Sequence, residues 1–108
     1  MLTAVAAILK NSVRNVDILC RYGGEEMVVI LPETGSKAAF TAAETCRSKV
    51  ELLSRECAEV PVTVSIGVSE ISDSIMTSEK LILTADLALY QAKNTGRNKA
   101  VLYAHQRD

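Results

Sequence analysis

Leu2, Val5, Leu9 and Val13 recur at steps of three and four, and this spacing predicts a helix over about residues 2 to 13. Nothing before Leu2 supplies a cap or an approach, so the expectation is a chain that begins inside a domain. Two largely apolar stretches follow, Leu19-Cys20-Arg21-Tyr22 and Met27-Val28-Val29-Ile30-Leu31. The pair Gly23-Gly24 between them predicts a β-hairpin over about 17 to 31, because a two-residue turn favours positive φ at its centre. Pro32 ends the second strand, since proline has no N–H to donate to a ladder. Pairing across that turn sets Tyr22 opposite Glu25 and Arg21 opposite Glu26, and strand alternation sends the two glutamates to opposite faces.

Gly35-Ser36 opens a second helix that runs to about Cys57, with Ser36 as its expected N-cap and Ala39, Ala43, Cys46, Val50, Leu53 and Cys57 as its buried stripe. From Pro61 to Glu70 the chain alternates strictly. Val62, Val64, Ile66 and Val68 share one face, while Thr63, Ser65, Gly67 and Ser69 form a small face with room for a packed helix or a ligand. A polar loop from Ser69 to Thr77 leads to a helix over about 78 to 94, with Leu81, Ala85, Ala88 and Ala92 inward and Gly96 as its stop. Lys99 to Tyr103 is a short last strand. The order helix, hairpin, helix, strand, helix, strand predicts an α+β domain, helices layered on a mostly antiparallel sheet, with no repeat or linker.

Composition narrows the function. The 108 residues allow one small domain, and 48% hydrophobic with 23% charged residues is ordinary for a folded globular chain. A net charge of -1 without a basic cluster argues against a nucleic-acid polymer as partner, whereas a mononucleotide needs only a few cations. The longest apolar run, Ala4 to Leu9, is far short of the roughly 20 residues of a membrane span. No secretory signal opens the chain, so a cytoplasmic setting is expected. Cys20, Cys46 and Cys57 match no metal-binding spacing and read as reduced core thiols. Tyr90 and Tyr103 read as core or sheet residues, and His105 has no assigned role.

Arg21-Tyr22-Gly23-Gly24-Glu25-Glu26-Met27 closely resembles the signature of the GGDEF family, the diguanylate cyclases that make cyclic di-GMP from two GTP, in the variant with Glu at the third position. Three further blocks agree in order: Arg14-Asn15-Val16-Asp17, ending six residues before Gly23; Val62 to Val68; and Ala85 to Asn98 with its Gly96-Arg97-Asn98 end. The resemblance implies a palm-like, nucleotide-cyclase-like (ferredoxin-like) antiparallel sheet with helices. It also implies that the family's first central strand, which carries a metal-binding Asp, and the guanine-recognising helix after it are missing from this chain. Residues 1–108 would then be the C-terminal two-thirds of one GGDEF domain. A missing central strand leaves two ladders unpaired, so an isolated monomer is expected to be poorly stable: the chain either re-pairs its strands, exchanges elements with a second copy, or is a piece of a longer protein.

By position, the resemblance implies Glu25 as the carboxylate that binds Mg²⁺ (or Mn²⁺) and helps deprotonate the attacking hydroxyl, with Glu26 as a second catalytic acid. Apart from the resemblance, both read as solvated rim charges, with Glu26 paired to Arg21. Gly23 and Gly24 would let the nucleotide approach the backbone, and Lys93 and Arg97 would hold its phosphates. The plain alternative is a lysine that offsets the helix dipole, followed by a capping loop. Arg14 and Asp17 match the product-inhibition site for cyclic di-GMP, or else Asp17 caps the turn into the hairpin. Met27 stands where the family usually has Phe and can still fill the core behind the turn.

Two functions compete. The first is a diguanylate cyclase domain acting as a homodimer, each copy holding one GTP, although the 108 residues alone are expected to be inactive. The second is a degenerate module that binds cyclic di-GMP through Arg14 and Asp17, or serves as a regulatory partner, without catalysis. A palm-type nucleotide cyclase of another group is a weaker third, because the matched motifs belong to the diguanylate group.

Overall fold

Helices and two short β-ladders alternate in the predicted order. The computed structural model describes residues 2–23, 26–57 and 62–104. Its elements are α1 (Leu2–Ser12), β1 (Ile18–Gly23), β2 (Glu26–Ile30), α2 (Ser36–Cys57), β3 (Ile66–Val68), α3 (Ser78–Asn94) and β4 (Ala100–Leu102). Gly24, Glu25 and His105, three of the residues singled out above, lie outside the described residues.

β1 and β2 pair antiparallel, whereas β3 and β4 pair parallel, with Ile66 opposite Ala100 and Val68 opposite Leu102. The parallel direction follows from the connection, because α3 carries the chain back along the ladder before β4 begins. The sheet expected to be mostly antiparallel is thus one antiparallel and one parallel pair, and the two pairs share no ladder. β3 is also shorter than the strand expected over 61 to 70. Three residues of β4 can satisfy only three of β3, and upstream Val62 bonds instead to α2: its N–H donates to Ser54 Oγ at 3.0 Å and its carbonyl accepts from the same hydroxyl at 2.9 Å.

Both ladders rest on α2. Leu9, Cys46 and Val50 form one buried cluster, against which Leu19 and Met27 of the hairpin and Val62, Val64 and Ile66 pack. Ala39, Ala43, Val68 and Ala100 form the second, with Leu31, Phe40, Ile66 and Leu102 around it. Ile66 touches both clusters and so joins the two halves of the core. The first four members of the predicted α2 stripe are therefore buried, and Val50 is wholly so. Met27 fills the space behind the hairpin, as an unbranched thioether side chain can.

Helix ends show where local pattern stops deciding. Thr77 caps α3, its hydroxyl accepting from the Lys80 N–H at 3.1 Å. α2 begins at Ser36 as expected, but the backbone N–H of Ser36 donates at 2.8 Å to Glu70 Oε1, a carboxylate brought from beyond β3. That group both satisfies a free helix donor and places negative charge at the positive end of the helix.

The small face of the strand receives α3. A Cβ on Gly67 would lie 2.0 Å from the Ala85 carbonyl oxygen and 2.4 Å from the Leu89 nitrogen, so helix backbone occupies the space that a side chain would need. Of the two occupants foreseen for that face, it is the helix that takes it. Thr84 is buried there as well, although the apolar pattern passes over it. Its hydroxyl is satisfied by Ser69 Oγ at 2.6 Å and by the carbonyls of Lys80 and Leu81.

Candidate active site

The hairpin tip is built differently from a simple two-residue turn at the glycines. The register runs Ile18 to Ile30, Leu19 to Val29, Cys20 to Val28 and Arg21 to Met27, and then shifts so that Gly23 pairs with Glu26. Tyr22 is the extra residue of a β-bulge, which raises local twist and re-aims the side chains beyond it. Arg21 therefore lies opposite Met27, not Glu26. The sequence holds no sign of this shift, because Ile18-Leu19-Cys20-Arg21-Tyr22 carries no strict apolar–polar alternation in which an extra residue would show. Gly23 has φ +152°, a region that side-chain-bearing residues rarely adopt, which is why glycine is needed at the tip.

Tyr22 and Glu26 line a cleft of about 330 Å³ with Glu79, Ile82, Leu83 and Asp86 from the first half of α3. Three carboxylates face this space and, among the described residues, no basic side chain lines it, so a polyphosphate would enter with cations to offset the charge. Among the described residues no group of three His, Cys, Asp or Glu is arranged to hold a metal by itself.

Arg14 and Asp17 are brought together closely, and their contacts are mutual. The Arg14 backbone N–H donates to Asp17 Oδ2 at 2.8 Å, its Nη2 donates to Asp17 Oδ1 at 2.8 Å, and the Asp17 N–H returns a bond to the Arg14 carbonyl at 3.1 Å. Arg14 Nη2 also reaches Thr34 Oγ1 at 2.8 Å and the Pro32 carbonyl at 3.1 Å, tying the entry of the hairpin to its exit. Asp17 is only 4% exposed, and here it closes a turn.

The hydrogen bonds from the Arg14 guanidinium hold the Asp17 carboxyl below the usual carboxylate range, and the same bonds push Arg14 up. Because the folded value is the lower one, the stabilisation is complete above the ordinary aspartate range, about pH 4, and is lost as pH falls through the depressed value. An NMR titration should find Asp17 protonating below an unpaired aspartate and returning to the ordinary range in Arg14→Ala. Ordinary titration in the unaltered protein would remove the pairing.

Lys93 and Arg97 sit at the far end of α3. Lys93 lies seven positions after Asp86, about 10 Å of helix rise, and Arg97 lies beyond the helix, so the basic pair stands apart from the acidic cleft along α3. Both basic side chains are exposed, and neither has an ion-pair or hydrogen-bond partner among the described residues. The helix ends in a Schellman arrangement: Gly96 has φ +121°, and the Arg97 N–H donates to the Ala92 carbonyl at 2.9 Å. Gly96 is thus the stop expected from the pattern. Arg97 does not continue the helix, so its position relative to Lys93 is set by this loop and not by helical periodicity.

What sequence reading missed is the support for that loop. Asn98 Nδ2 donates to Glu51 Oε2 at 2.9 Å and its Oδ1 accepts from Arg47 Nη1 at 3.1 Å, both from α2. Two smaller expectations are corrected. Tyr90 is 68% exposed and is not a core residue. Cys20 is an exposed thiol, because it falls on the outer face of the hairpin, whereas Cys46 is buried and burial pushes its thiol up.

Comparison with known proteins follows the same lines. A family model described as "Diguanylate cyclase, GGDEF domain" matches residues 1–99. Diguanylate cyclase A of Treponema denticola is 40% identical over 104 residues, 94% of this chain and 28% of that protein. Response regulator PleD of Caulobacter vibrioides is 41% identical over 105 residues, 94% of this chain and 23% of that protein. The chain thus spans about a quarter of the length of these curated relatives. Among solved structures, the active GGEEF domain of a diguanylate cyclase from Vibrio cholerae superposes with a TM-score of 0.88 at 26% identity, covering 97% of this chain and 67% of that one. The GGDEF domain of DgcB from Caulobacter crescentus, in complex with c-di-GMP, gives 0.84 at 28% identity, with 94% and 62% covered.

Proposed function

The chain belongs to the GGDEF family of diguanylate cyclase domains, and from that premise we propose that it forms the C-terminal two-thirds of a catalytic domain that condenses two GTP into cyclic di-GMP and pyrophosphate. The observation that carries this reading is the hairpin whose ladder closes with Gly23 opposite Glu26, the first and last residues of the Gly23-Gly24-Glu25-Glu26 signature. The share of the two GGDEF structures that the chain covers supports the two-thirds assignment.

In each half-reaction the 3′-oxygen of one GTP forms a bond to the α-phosphorus of the other, the bond to the β-phosphate oxygen breaks, and pyrophosphate leaves with the electron pair. The 3′-hydroxyl must surrender its proton, and Glu25 is the proposed acceptor. Carboxylates are hard oxygen donors of the kind Mg²⁺ or Mn²⁺ takes, and Glu25 with Glu26 beside it would hold such an ion together with the substrate's phosphate oxygens. The ion supplies stabilisation of the charge on the transferring and leaving oxygens. Gly23 and Gly24 leave the tip without side chains that would keep a nucleotide away. Lys93 and Arg97, exposed and unpartnered among the described residues, would bind its phosphates.

A reaction that joins two nucleotides fits two copies of the domain, each presenting one GTP. Cyclic di-GMP would bind back at Arg14 and Asp17, exchanging their mutual bonds for bonds to a phosphate and a guanine edge. A cytoplasmic setting suits a GTP-consuming reaction, and no described helix is long and apolar enough to cross a membrane. By itself the 108-residue chain is expected to turn over no GTP, because the Asp that the family carries on its opening strand is not in this sequence.

The test is incubation of the protein that carries this chain with GTP and Mg²⁺, resolving cyclic di-GMP by chromatography, beside calorimetry with cyclic di-GMP. Product formation is the expected result. Tight binding of cyclic di-GMP without any turnover would replace the cyclase with the binding module.

A further inference from the structure

Three successive residues past α3 have positive φ: Gly96 at +121°, Arg97 at +61° and Asn98 at +47°. Glycine pays nothing for this, and asparagine enters the left-handed region several-fold more readily than most residues. Arginine has no such allowance, and a non-glycine residue is held in that region only where surrounding contacts over-determine it. A Schellman cap requires the left-handed turn at Gly96 alone, so the strain at Arg97 goes beyond what ending the helix requires.

The contacts that fix the loop converge on its neighbour. Both polar atoms of the Asn98 amide are bonded to α2, to Arg47 at 3.1 Å and Glu51 at 2.9 Å. Arg47 is itself held between Glu44 at 3.2 Å and Glu51 at 3.3 Å, and Glu44 also accepts from the Ala100 N–H at 3.0 Å, where β4 begins. Lys99 Nζ donates to the Thr95 carbonyl on the other side. Arg97 precedes Asn98 directly in the chain yet takes no part in this network, and its guanidinium remains exposed. The half-buried clamp is therefore complete without Arg97, one of the two proposed phosphate ligands, and it fixes the backbone from which that side chain projects.

We infer that Asn98, clamped by Arg47 and Glu51, is a positioning residue for nucleotide binding: it holds residue 97 left-handed and keeps the Arg97 guanidinium out of the α2 ion pairs and available to a nucleoside triphosphate. This inference rests on the reading of Arg97 as a phosphate ligand. In its absence Arg97 would relax toward an ordinary backbone conformation and could join Glu51 or Glu44, with loss of affinity and no loss of the chemical step.

The experiment uses the protein that carries this chain and measures KM and kcat for GTP, with thermal midpoints recorded for every variant. Asn98→Gly keeps the left-handed backbone accessible and deletes the clamp. It should raise KM for GTP by about tenfold with kcat within about threefold, as loss of ground-state binding does. Arg97→Ala should raise KM at least as much. The double variant should be no worse than Arg97→Ala alone, because a residue acting only through another adds nothing once its target is gone. Arg47→Met, which breaks the clamp without touching residue 98, should reproduce Asn98→Gly and serves in its place if that variant does not fold. If Arg97→Ala leaves KM unchanged, the phosphate-ligand reading itself fails. If Arg97→Ala raises KM while neither clamp variant does, or if the double variant is additive, the positioning role is overturned and the phosphate site stands.

Discussion

Gly67→Ala is expected to lower the thermal midpoint of the protein by about 10 to 20 °C, the largest stability change foreseen for any single methyl group in this fold. The methyl would meet the Ala85 carbonyl oxygen at 2.0 Å and the Leu89 nitrogen at 2.4 Å. Both are backbone atoms in the middle of a 17-residue helix and cannot rotate aside, so α3 must move off β3 as a body. Overpacking of ordinary side chains costs about 1–3 kcal/mol, and a clash with helix backbone belongs at or above the top of that range. Displacing α3 also displaces Lys93 and the loop of Arg97, so nucleotide affinity should fall together with stability. Gly35→Ala is the control: its Cβ would lie 3.8 Å from Glu70 Oε2, an ordinary contact, and the midpoint should move little. Thermal unfolding followed by circular dichroism reads both, and a Gly67→Ala midpoint within a few degrees of the parent would mean that α3 does not pack on β3 as described.

The same glycine shows what the sequence could and could not tell. Strict alternation from Val62 to Ser69 announced a strand with a face of small side chains, and the apolar spacing from Leu81 to Ala92 announced a helix, but neither pattern says that one lies on the other. α3 was legible in extent because the signals for it are local, an inward row of apolar residues, Lys93 in the last turn and Gly96 beyond it, although Thr77 reads only as the end of a polar loop and not as the cap it is. α2 was legible in extent but not in its cap, since Glu70 arrives from 34 residues away. The Asn98 clamp was illegible for the same reason. Its partners lie 47 and 51 residues back, on a helix whose charged residues look like a solvated face when read alone. At the hairpin the motif gave the location and the bulge at Tyr22 changed the register, which the sequence could not show because residues 18–22 and 26–30 carry no strict alternation that an extra residue would interrupt. The candidate site was therefore legible as residue types in order, while the contacts that orient them came from tertiary structure.

Glu25→Ala, made in the protein that carries this chain, should reduce cyclic di-GMP formation by about 10³-fold or more. The physical reason is charge. On the proposed reading two triphosphates come together beside a cleft that already presents Glu26, Glu79 and Asp86, and among the described residues no basic side chain lines that cleft. In the proposed mechanism a divalent cation bound by Glu25 would offset this repulsion and contribute several kcal/mol where charge develops on the transferring oxygens; each 1.36 kcal/mol is a factor of ten in rate, about 10³ for the sum. Glu25→Gln, nearly the same shape without the charge, should lose about as much, which separates a role for the carboxylate from a role in shaping the turn. Binding of cyclic di-GMP should survive in both variants and vanish in Arg14→Ala, because Arg14 and Asp17 lie at the base of the hairpin and are held there by Pro32 and Thr34, away from its tip. Turnover measured by pyrophosphate release, beside calorimetry with cyclic di-GMP, reads both functions in each variant. Undiminished turnover in Glu25→Ala would take that residue out of the mechanism, and loss of product binding together with turnover would mean that the substitution had unfolded the hairpin rather than removed its charge.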